Sequence, residues 1–286
     1  VLAWRGLQRR MRERFAPRVY ALGFAAWKRP IVRDFLQGSQ VTFVRRASRV
    51  PAGADLAVWG RRDPAPAVPG RLIRLEDGFL RSVGLGVDLV RPLSWVLDDA
   101  GIYYDATRPS ALETLLATAD FPEALRDRAR ELRRAIVARG LTKYNVGHGD
   151  WTRPPGASRV VLVPGQVEDD ASIRFGAGAV RTNIDLLRTV RALEPEAYLV
   201  YKPHPDVLTK LRKAGRGEEQ AAAHCDAVVL HVPMHALLSQ VDAVHVLTSL
   251  AGFEALLRGR EVTCHGRPFY AGWGLTRDRE ALPGRT

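Results

Sequence analysis

The chain has 286 residues, of which 46% are hydrophobic, and it carries a formal net charge of +12. This length and composition allow two packed domains and argue against intrinsic disorder. There is no run of eighteen apolar residues that could span a membrane, and two cysteines supply neither a disulfide framework nor a metal-binding pattern.

The positive charge is compatible with a nucleic acid, an anionic membrane surface or an anionic substrate as partner. Much of the excess is arginine scattered through helices such as the stretch 126–139, which favours a solvated helix face. No recognisable nucleic-acid module accompanies it, so we expect no nucleic-acid partner. Segment 1–15 is basic, amphipathic and begins without methionine, and we therefore expect the chain to be part of a longer polypeptide.

Apolar runs alternate with helical stretches through the first half of the chain. The predicted strands are 18–24, 40–45, 54–59, 71–75, 93–97 and 102–104, and the predicted helices are 30–36, 110–117 and 123–139. Strands separated by helices indicate a parallel sheet that is covered on both faces.

The second half repeats this scheme. The predicted strands are 159–163, 197–201, 227–231, 243–247 and 261–265, the predicted helices are 180–193, 235–239 and 249–257, and a polar loop is expected over 164–178. About five parallel strands indicate a Rossmann-like sheet. A Gly/Pro-rich stretch, 147–156, suits a hinge between domains 1–150 and 151–286.

Two Rossmann-like domains with a cleft between them predict an α/β fold of the GT-B-like class. In open α/β sheets, ligands bind beyond the carboxyl ends of the strands. The residues that follow the predicted strands are therefore the first candidates for a functional site.

Two of these strand ends have features of a phosphate site. Thr248 and Ser249 stand at the start of a predicted helix, where unpaired N–H groups and the helix dipole favour an anion. Lys202 and His204 follow another strand, and the prolines beside His204 restrict its backbone. Glu254, one turn into the helix, could meet a ribose, although a solvated helix acid is the simpler interpretation.

Two acidic motifs also follow strands. Glu76 and Asp77 precede Gly78, and this sequence fits either a carboxylate at the cleft or a turn or helix cap. The segment 166–172, QVEDDAS, has three successive acids, of which one could be a nucleophile or base and the others helix caps. Metal binding by these acids is weakly supported, because no second acid or histidine cluster has ligand spacing. No dinucleotide, P-loop or hydrolase-elbow motif is present.

Six motifs taken together resemble the bacterial capsule β-Kdo transferases of the KpsC family, and in particular their C-terminal module. In chain order they are LEDGFLRSVGLG, LDDAGIYYDATRPSALE, LTKYN, VLVPGQVEDDASI, YKPHPDV and SLAGFEALLRGREVTCHGRPFYAGWGLT. The His-Pro pair and the acidic pair are also similar to those of bacterial sialyltransferases, which share a CMP-sugar donor.

The resemblance implies transfer of the acidic sugar Kdo from CMP-β-Kdo to a Kdo-terminated glycolipid. This would extend the poly-Kdo linker between a capsular polysaccharide and phosphatidylglycerol, through a β-2,7 linkage for the C-terminal module. It implies a cytoplasmic protein peripheral to the anionic inner membrane, with a second transferase module in the same polypeptide. The family continues beyond the position of Thr286, so we expect the second domain to be truncated here.

The resemblance also implies roles for individual residues. Because donor and product are both β, the reaction would be retaining, with Asp170 as nucleophile, Asp169 as runner-up, and Glu76 as general base that Asp77 orients or replaces. The expected donor-site residues are Gln166, Lys202, His204, Thr248, Ser249 and, for the ribose, Glu254, and the candidates for the Kdo carboxylate are Arg81 and Arg174. No metal or cofactor is expected, because these groups can neutralise the single phosphate of CMP.

Two other functions remain open at this stage. A transferase for another CMP-linked ulosonic acid, such as sialic acid, would keep the CMP site and change the sugar pocket. A non-catalytic module that binds anionic glycolipid through its basic surface would not need Glu76 or Asp170.

Overall fold

The structure is a computed structural model that describes residues 15–64, 70–86, 88–209 and 212–285. The basic amphipathic segment predicted at the start therefore lies outside the described residues, apart from Phe15. The chain divides into two compact units, the first comprising the described residues up to Arg81 together with Arg91–Ile102 and Pro109–Leu112, and the second comprising the remainder. The predicted domain boundary near residue 150 stays a prediction. Among the described helices, none has the length and apolar character to cross a membrane.

The first unit contains a five-stranded sheet. Its strands are Arg18–Leu22 (β1), Gln40–Val44 (β2), Asp55–Trp59 (β3), Leu72–Asp77 (β4) and Trp95–Asp98 (β5). The order is β2-β1-β3-β4-β5, and every pair is parallel except β4–β5, which is antiparallel. The prediction of a wholly parallel sheet is therefore wrong at this edge. Helix Arg29–Phe35 (α1) and a short 3₁₀ turn, Ala26–Lys28, connect β1 to β2.

Both faces of this sheet are buried, as its apolar strands predict. Alternate residues of β1 enter different clusters: Val19 and Ala21 pack with α1, whereas Leu22 packs with Leu56 and Val58 of β3. A strand covered on two sides carries apolar residues at successive positions, because neither face meets water.

One predicted strand of this region, 102–104, is absent. The Asp98 carboxylate at the end of β5 accepts hydrogen bonds from the backbone N–H groups of Ala100 and Gly101, at 2.9 and 2.8 Å. An aspartate that binds the backbone two and three residues ahead stabilises a turn, and the chain turns here instead of continuing.

The second unit contains a six-stranded sheet in which every pair is parallel. Its strands are Val160–Pro164 (β6), Tyr198–Lys202 (β7), Ala227–Val228 (β8), Ala243–Val246 (β9), Glu261–Cys264 (β10) and Arg277–Asp278 (β11). The order is β11-β10-β9-β6-β7-β8, so the chain runs outward from β6 on one side and returns to β9 on the other. The predicted Rossmann-like sheet is present, with β11 as a strand that the sequence pattern missed.

Most of the remaining helices agree with the sequence prediction. They are Ala111–Thr118 (α2), Glu123–Ala138 (α3), Ala171–Gly176 (α4), Asn183–Leu193 (α5), Pro205–Leu208 (α6), Met234–Gln240 (α7) and Leu250–Leu257 (α8), with a 3₁₀ turn at Glu218–Ala223. The prediction of a continuous loop over 164–178 is wrong, because α4 begins directly after Asp170. The core of the second unit packs apolar residues of β6, β7 and β9 against Ile184, Leu187 and Val190 of α5.

Candidate functional site

Two polar side chains, those of Gln166 and Thr248, connect the loops that follow the central strands of the second sheet. Gln166 follows β6 and Thr248 follows β9, the two neighbouring strands between which the strand order reverses. The Gln166 amide donates to Thr248 Oγ1 at 3.0 Å and accepts from the Thr248 backbone N–H at 2.9 Å. Asn183 in turn exchanges hydrogen bonds with the Gln166 backbone N–H and C=O. Open α/β sheets bind their ligands at such a switch point, where adjacent loops separate.

Helix α8 begins beside this pair. Ser249 is its N-cap, and the Ser249 hydroxyl oxygen accepts the backbone N–H of Ala251 at 3.2 Å. The hydroxyl of Tyr270 donates to the Ser249 carbonyl oxygen. A Cβ on Gly252 would lie 2.3 Å from that tyrosine hydroxyl, so only glycine permits this approach. The aromatic tail after β10 therefore holds the start of α8 in place.

Lys202 ends β7 and is buried, with 9% of its surface exposed. Its ammonium donates to the carbonyl oxygen of Leu230 at 3.0 Å and forms no ion pair with any residue that the structure describes. Burial lowers the pKa of Lys202 to about 8. A cation held in this way gains most from an anionic ligand, because no ion pair with a described residue balances its charge.

His204 caps the short helix α6. Its Nδ1 accepts the backbone N–H of Asp206 at 3.2 Å, so the neutral ring carries its proton on Nε2. Burial, together with the positive charge of Lys143, lowers the pKa of His204 to about 4. At neutral pH the ring is therefore an uncharged donor through Nε2, and this suits contact with a ligand oxygen.

The three successive acids of the QVEDDAS motif have separate roles. Glu168 accepts the backbone N–H groups of Asn183 and Arg216, at 2.7 and 3.0 Å. Asp169 is 79% exposed and forms an ion pair with Arg212, which lowers the pKa of the Asp169 carboxyl. The sequence could not separate these neighbours, because their roles depend on residues 15 to 48 positions further along the chain.

Asp170 is the N-cap of α4. Its Oδ1 accepts the backbone N–H of Ser172 at 2.8 Å, and its Oδ2 has no hydrogen-bond partner among the residues described. The carboxylate is exposed, and its charge acts on the pKa values of His204, Asp206 and Arg212. Asp170 therefore both caps α4 and keeps one carboxylate oxygen available, so these two roles do not exclude each other.

Glu254 is buried, with 6% of its surface exposed, although a solvated helix acid had been the simpler expectation. Its Oε1 accepts the backbone N–H of Lys143 at 2.7 Å, and burial raises the pKa of Glu254 to about 7. The predicted contact of Glu254 with a ribose stays a prediction. The structure adds Lys143 to the candidates, since its positive charge acts on His204 and Asp206.

Lysine is scarce in this chain, and its scarcity could have directed attention to Lys143. Only five of the 43 basic residues are lysine, at positions 28, 143, 202, 210 and 213. Lysine carries a compact charge whose pKa responds to burial. The signal is not specific, because Lys213 is exposed.

In the first unit, the predicted acidic pair ends a strand and does not form a turn. Asp77 Oδ2 accepts from Arg81 Nε at 2.7 Å, and Glu76 Oε1 accepts the backbone N–H of Asp77 at 2.9 Å. Arg81 is 2% exposed, so its guanidinium is an internal partner of Asp77. A Cβ on Gly78 would lie 2.2 Å from the Ser94 hydroxyl, and the glycine therefore lets β4 approach the segment before β5.

Arg174 lies exposed on α4, with its guanidinium 5.2 Å from the ring centroid of Phe175. Its predicted contact with a sugar carboxylate stays a prediction. Among the described residues, no group of three or more histidine, cysteine or acidic side chains is placed to hold a metal ion.

The model of the family "Capsule polysaccharide biosynthesis protein" matches residues 65–150 and 148–286, which include both acidic motifs, the Lys-Pro-His-Pro segment and helix α8. The chain belongs to this family.

Curated relatives of this capsule family are longer than the chain. The capsule polysaccharide modification protein LipA of Neisseria meningitidis serogroup B is 41% identical over 97% of the chain, which spans 41% of LipA. The lipopolysaccharide-processing protein LpsZ of Rhizobium meliloti is 42% identical over 94% of the chain, which spans 66% of LpsZ.

Two solved structures share the fold. The β-Kdo 2,7 transferase of Thermosulfurimonas dismutans KpsC is 37% identical, with a TM-score of 0.76, and the alignment covers 94% of the chain and 85% of that structure. The β-Kdo 2,4 transferase of the same KpsC is 33% identical, with a TM-score of 0.80, and the coverage is 94% and 86%. These matches confirm the resemblance to the KpsC family and the GT-B-like α/β class with two Rossmann-like domains. The cleft predicted between the domains stays a prediction.

The first prediction separates two acids of the QVEDDAS motif. Replacing Glu168 with alanine removes the acceptor of two backbone N–H groups, and we expect the free energy of unfolding to fall by about 1–3 kcal/mol. Asp169→Ala removes an exposed ion pair and should change it by less than about 0.5 kcal/mol. Urea denaturation of both variants makes the comparison, and equal losses would contradict the roles assigned to the two carboxylates.

The second prediction concerns pH. The folded-state pKa of Glu254, about 7, exceeds the ordinary value of 4.5, so the folded state retains a proton that the unfolded state releases. The contribution of Glu254 to stability should therefore fall as pH rises from about 4.5 to 7, at up to roughly 1.4 kcal/mol per pH unit. Buried histidines with lowered pKa values, such as His204, contribute in the opposite direction over the same range, so the prediction concerns the difference between two proteins. Relative to the wild type, Glu254→Gln should gain stability as pH rises from about 4.5 to 7, and denaturant titrations of both proteins at several pH values measure this difference. A difference that does not change with pH would show that Glu254 does not titrate in this range.

Proposed function

We propose that the chain is a CMP-Kdo-dependent glycosyltransferase that transfers Kdo with retention of the β configuration to a Kdo-terminated glycolipid. The observation that carries this is its similarity, over 94% of its length, to two structures described as β-Kdo transferases. The buried cation, the neutral histidine and the helix N-terminus of the second unit suit a sugar nucleotide with one phosphate. One of the two structures is a 2,7 transferase and the other a 2,4 transferase. We propose the β-2,7 linkage for this chain.

The phosphate of CMP would meet three donors. Lys202 offers a buried ammonium, His204 an uncharged Nε2–H, and Ser249 a hydroxyl at the start of α8. As the bond between the phosphate and the anomeric carbon breaks, negative charge grows on the phosphate oxygens, and these donors stabilise it. Thr248 and Gln166 are hydrogen bonded to each other, and their role would be to fix the loops that follow β6 and β9. Glu254 would hold the ribose.

Asp170 is proposed as the nucleophile. Its Oδ2 would attack the anomeric carbon while CMP departs with the bonding electrons, and this gives a covalent glycosyl-enzyme with inverted configuration. The acceptor hydroxyl then attacks the same carbon, loses its proton to a base and releases Asp170, which inverts the centre again. The ion pair of Asp169 with Arg212 disfavours Asp169 for this role.

Glu76 is proposed as the base that receives the acceptor proton. Asp77 is held by Arg81 through its Oδ2, and this favours an orienting role for Asp77. Arg81 would then act through Asp77. In the second unit, Arg174 is the candidate for binding the Kdo carboxylate of the donor.

The remaining parts of the proposal concern the surroundings of the enzyme. We propose that it acts in the cytoplasm at the anionic inner membrane, where the poly-Kdo linker of capsular polysaccharide grows on phosphatidylglycerol. A second transferase module in the same polypeptide would alternate with it. The three donors at the phosphate make a divalent metal unnecessary, so EDTA should leave transfer unchanged.

The third prediction tests the nucleophile. Asp170→Asn keeps an oxygen that can cap α4 but removes the charge, and we expect Kdo transfer to fall by about 10³-fold or more. Asp169→Asn is the matched control and should remain within several-fold of the wild type. Transfer is measured by mass spectrometry with CMP-β-Kdo, generated in situ by CMP-Kdo synthetase, and a synthetic Kdo-terminated acceptor.

The same assay separates the alternatives. Without acceptor, the wild-type peptide that contains Asp170 should gain the mass of one Kdo residue. Full activity of Asp170→Asn would reject the nucleophile but leave the transferase standing. Preference for CMP-sialic acid over CMP-Kdo would favour the other ulosonic acid, and absence of both transfer and CMP binding would favour a non-catalytic module.

The fourth prediction tests the phosphate site. Lys202→Met should weaken CMP binding about 10- to 100-fold at pH 7, because a charge-assisted hydrogen bond is lost. Wild-type affinity should also decrease as pH rises above about 8, where free Lys202 loses its proton, and the variant should lack this dependence. Calorimetric titration with CMP measures both effects. Lys213→Met, which removes an exposed lysine, is the matched control, and an equal loss there would indicate only a general effect of charge.

A further inference from the structure

A lysine that no motif singled out lies at the carboxyl edge of the first sheet. Lys28 ends the 3₁₀ turn that follows β1, Trp59 ends β3, and Glu76 and Asp77 end β4. Strands β1, β3 and β4 are neighbours and parallel, so their carboxyl ends meet at one edge. The Lys28 ammonium stands 3.2 Å from the centroid of the Trp59 ring, and the charges of Asp77 and Glu76 act on it.

Lys28 differs from the arginine of the same cluster. Arg81 is enclosed and hydrogen bonded to Asp77, whereas Lys28 is half-buried and forms no ion pair with any described residue. Burial is the largest influence on Lys28 and lowers its pKa, while Asp77 and Glu76 raise it. The face of the Trp59 indole contacts the Lys28 ammonium from one side. The N–H donors of the ammonium can then bind a ligand.

The charges of the cluster limit the kind of ligand. Lys28 and Arg81 contribute two positive charges, and Glu76 and Asp77 contribute two negative ones. A phosphate dianion would be repelled by the two carboxylates, whereas a single carboxylate can pair with Lys28, and neighbouring hydroxyl groups can donate to Glu76. An acidic sugar offers both groups on one ring.

We infer that Lys28 binds the carboxylate of the acceptor sugar, with Trp59 holding the ammonium in place beside Glu76. This inference rests on the proposed transferase function. In the first unit, Lys28 is the cation that can bind the carboxylate of the acceptor sugar. Arg81 is the internal partner of Asp77. Lys28 then selects acidic acceptors and presents their hydroxyl group to the base.

The test compares two acceptors that differ only in charge. One is a synthetic Kdo-terminated glycoside with a free carboxylate, and the other is the same glycoside with that carboxylate converted to the primary amide. For the wild type we expect kcat/KM to be at least about 10-fold higher with the carboxylate. Lys28→Met should abolish this preference by raising KM for the charged acceptor, with KM for CMP-β-Kdo unchanged.

A matched control removes the same charge elsewhere in the first unit. Arg33 is exposed on α1, and its guanidinium stands 4.9 Å from the ring centroid of Phe43. Arg33→Met should keep the full preference for the carboxylate. Lys28→Arg should keep part of it, because charge is retained but the ammonium geometry is lost.

Each other outcome would overturn the inference in a recognisable way. If Lys28→Met keeps the preference, or if it lowers kcat equally for both acceptors, Lys28 does not bind the carboxylate, although the transferase stands. If the wild type transfers no Kdo to either acceptor, the proposed function itself fails. Should Lys28→Met not fold, Lys28→Gln keeps a polar stem without the charge and supports the same comparison.

Discussion

The amide of Gln166 and the hydroxyl and backbone of Thr248 form the contact on which the second unit depends. These two residues follow β6 and β9, neighbouring strands whose connections leave in opposite directions. Two hydrogen bonds from one side chain hold the loops at a fixed separation, and the Asn183 side chain fixes the Gln166 backbone from behind. These bonds fix the position of the start of α8 relative to the acids after Gln166. More than eighty residues separate Gln166 from Thr248 in sequence.

A second set of hydrogen bonds connects α8 to the backbone of residues 141–143. Glu254 accepts the backbone N–H of Lys143, and Arg258 donates to the carbonyl of Leu141, so one helix face holds both ends of a short segment. The Asn145 amide donates to the backbone of Ser82 and fastens that segment to another. A buried carboxylate that binds backbone is costly to ionise, and its raised pKa expresses that cost. The Glu254 carboxyl thus fixes the backbone at Lys143, and its ionisation at rising pH opposes this burial.

Periodicity and strand ends were sufficient to predict most of the secondary structure and to direct attention to Lys202, His204, Ser249 and the acid motifs. Strand direction was not predictable at β5, because an antiparallel edge strand has the same short apolar pattern as a parallel one. The roles of Glu168, Asp169 and Asp170 could not be separated from sequence either, since helix caps and nucleophiles use the same residue types. Their partners, Asn183, Arg216 and Arg212, come together only in the folded chain.

The choice of lysine over arginine extends this reasoning to residues that no motif marks. The chain has five lysines among 43 basic residues, and the structure places Lys28, Lys143 and Lys202 beside candidate functional groups. Arginine keeps its charge in almost any environment, whereas a buried lysine loses part of its preference for the charged form until an anion arrives. Burial lowers the pKa values of both Lys28 and Lys202, so an anionic ligand that binds beside either lysine would raise that pKa. For Lys202, whose pKa is about 8, binding of an anion near that pH would be accompanied by proton uptake. The positions of Lys28 and Lys202 are informative because neither lysine forms an ion pair with a residue that the structure describes, and each is therefore a candidate for binding an anion.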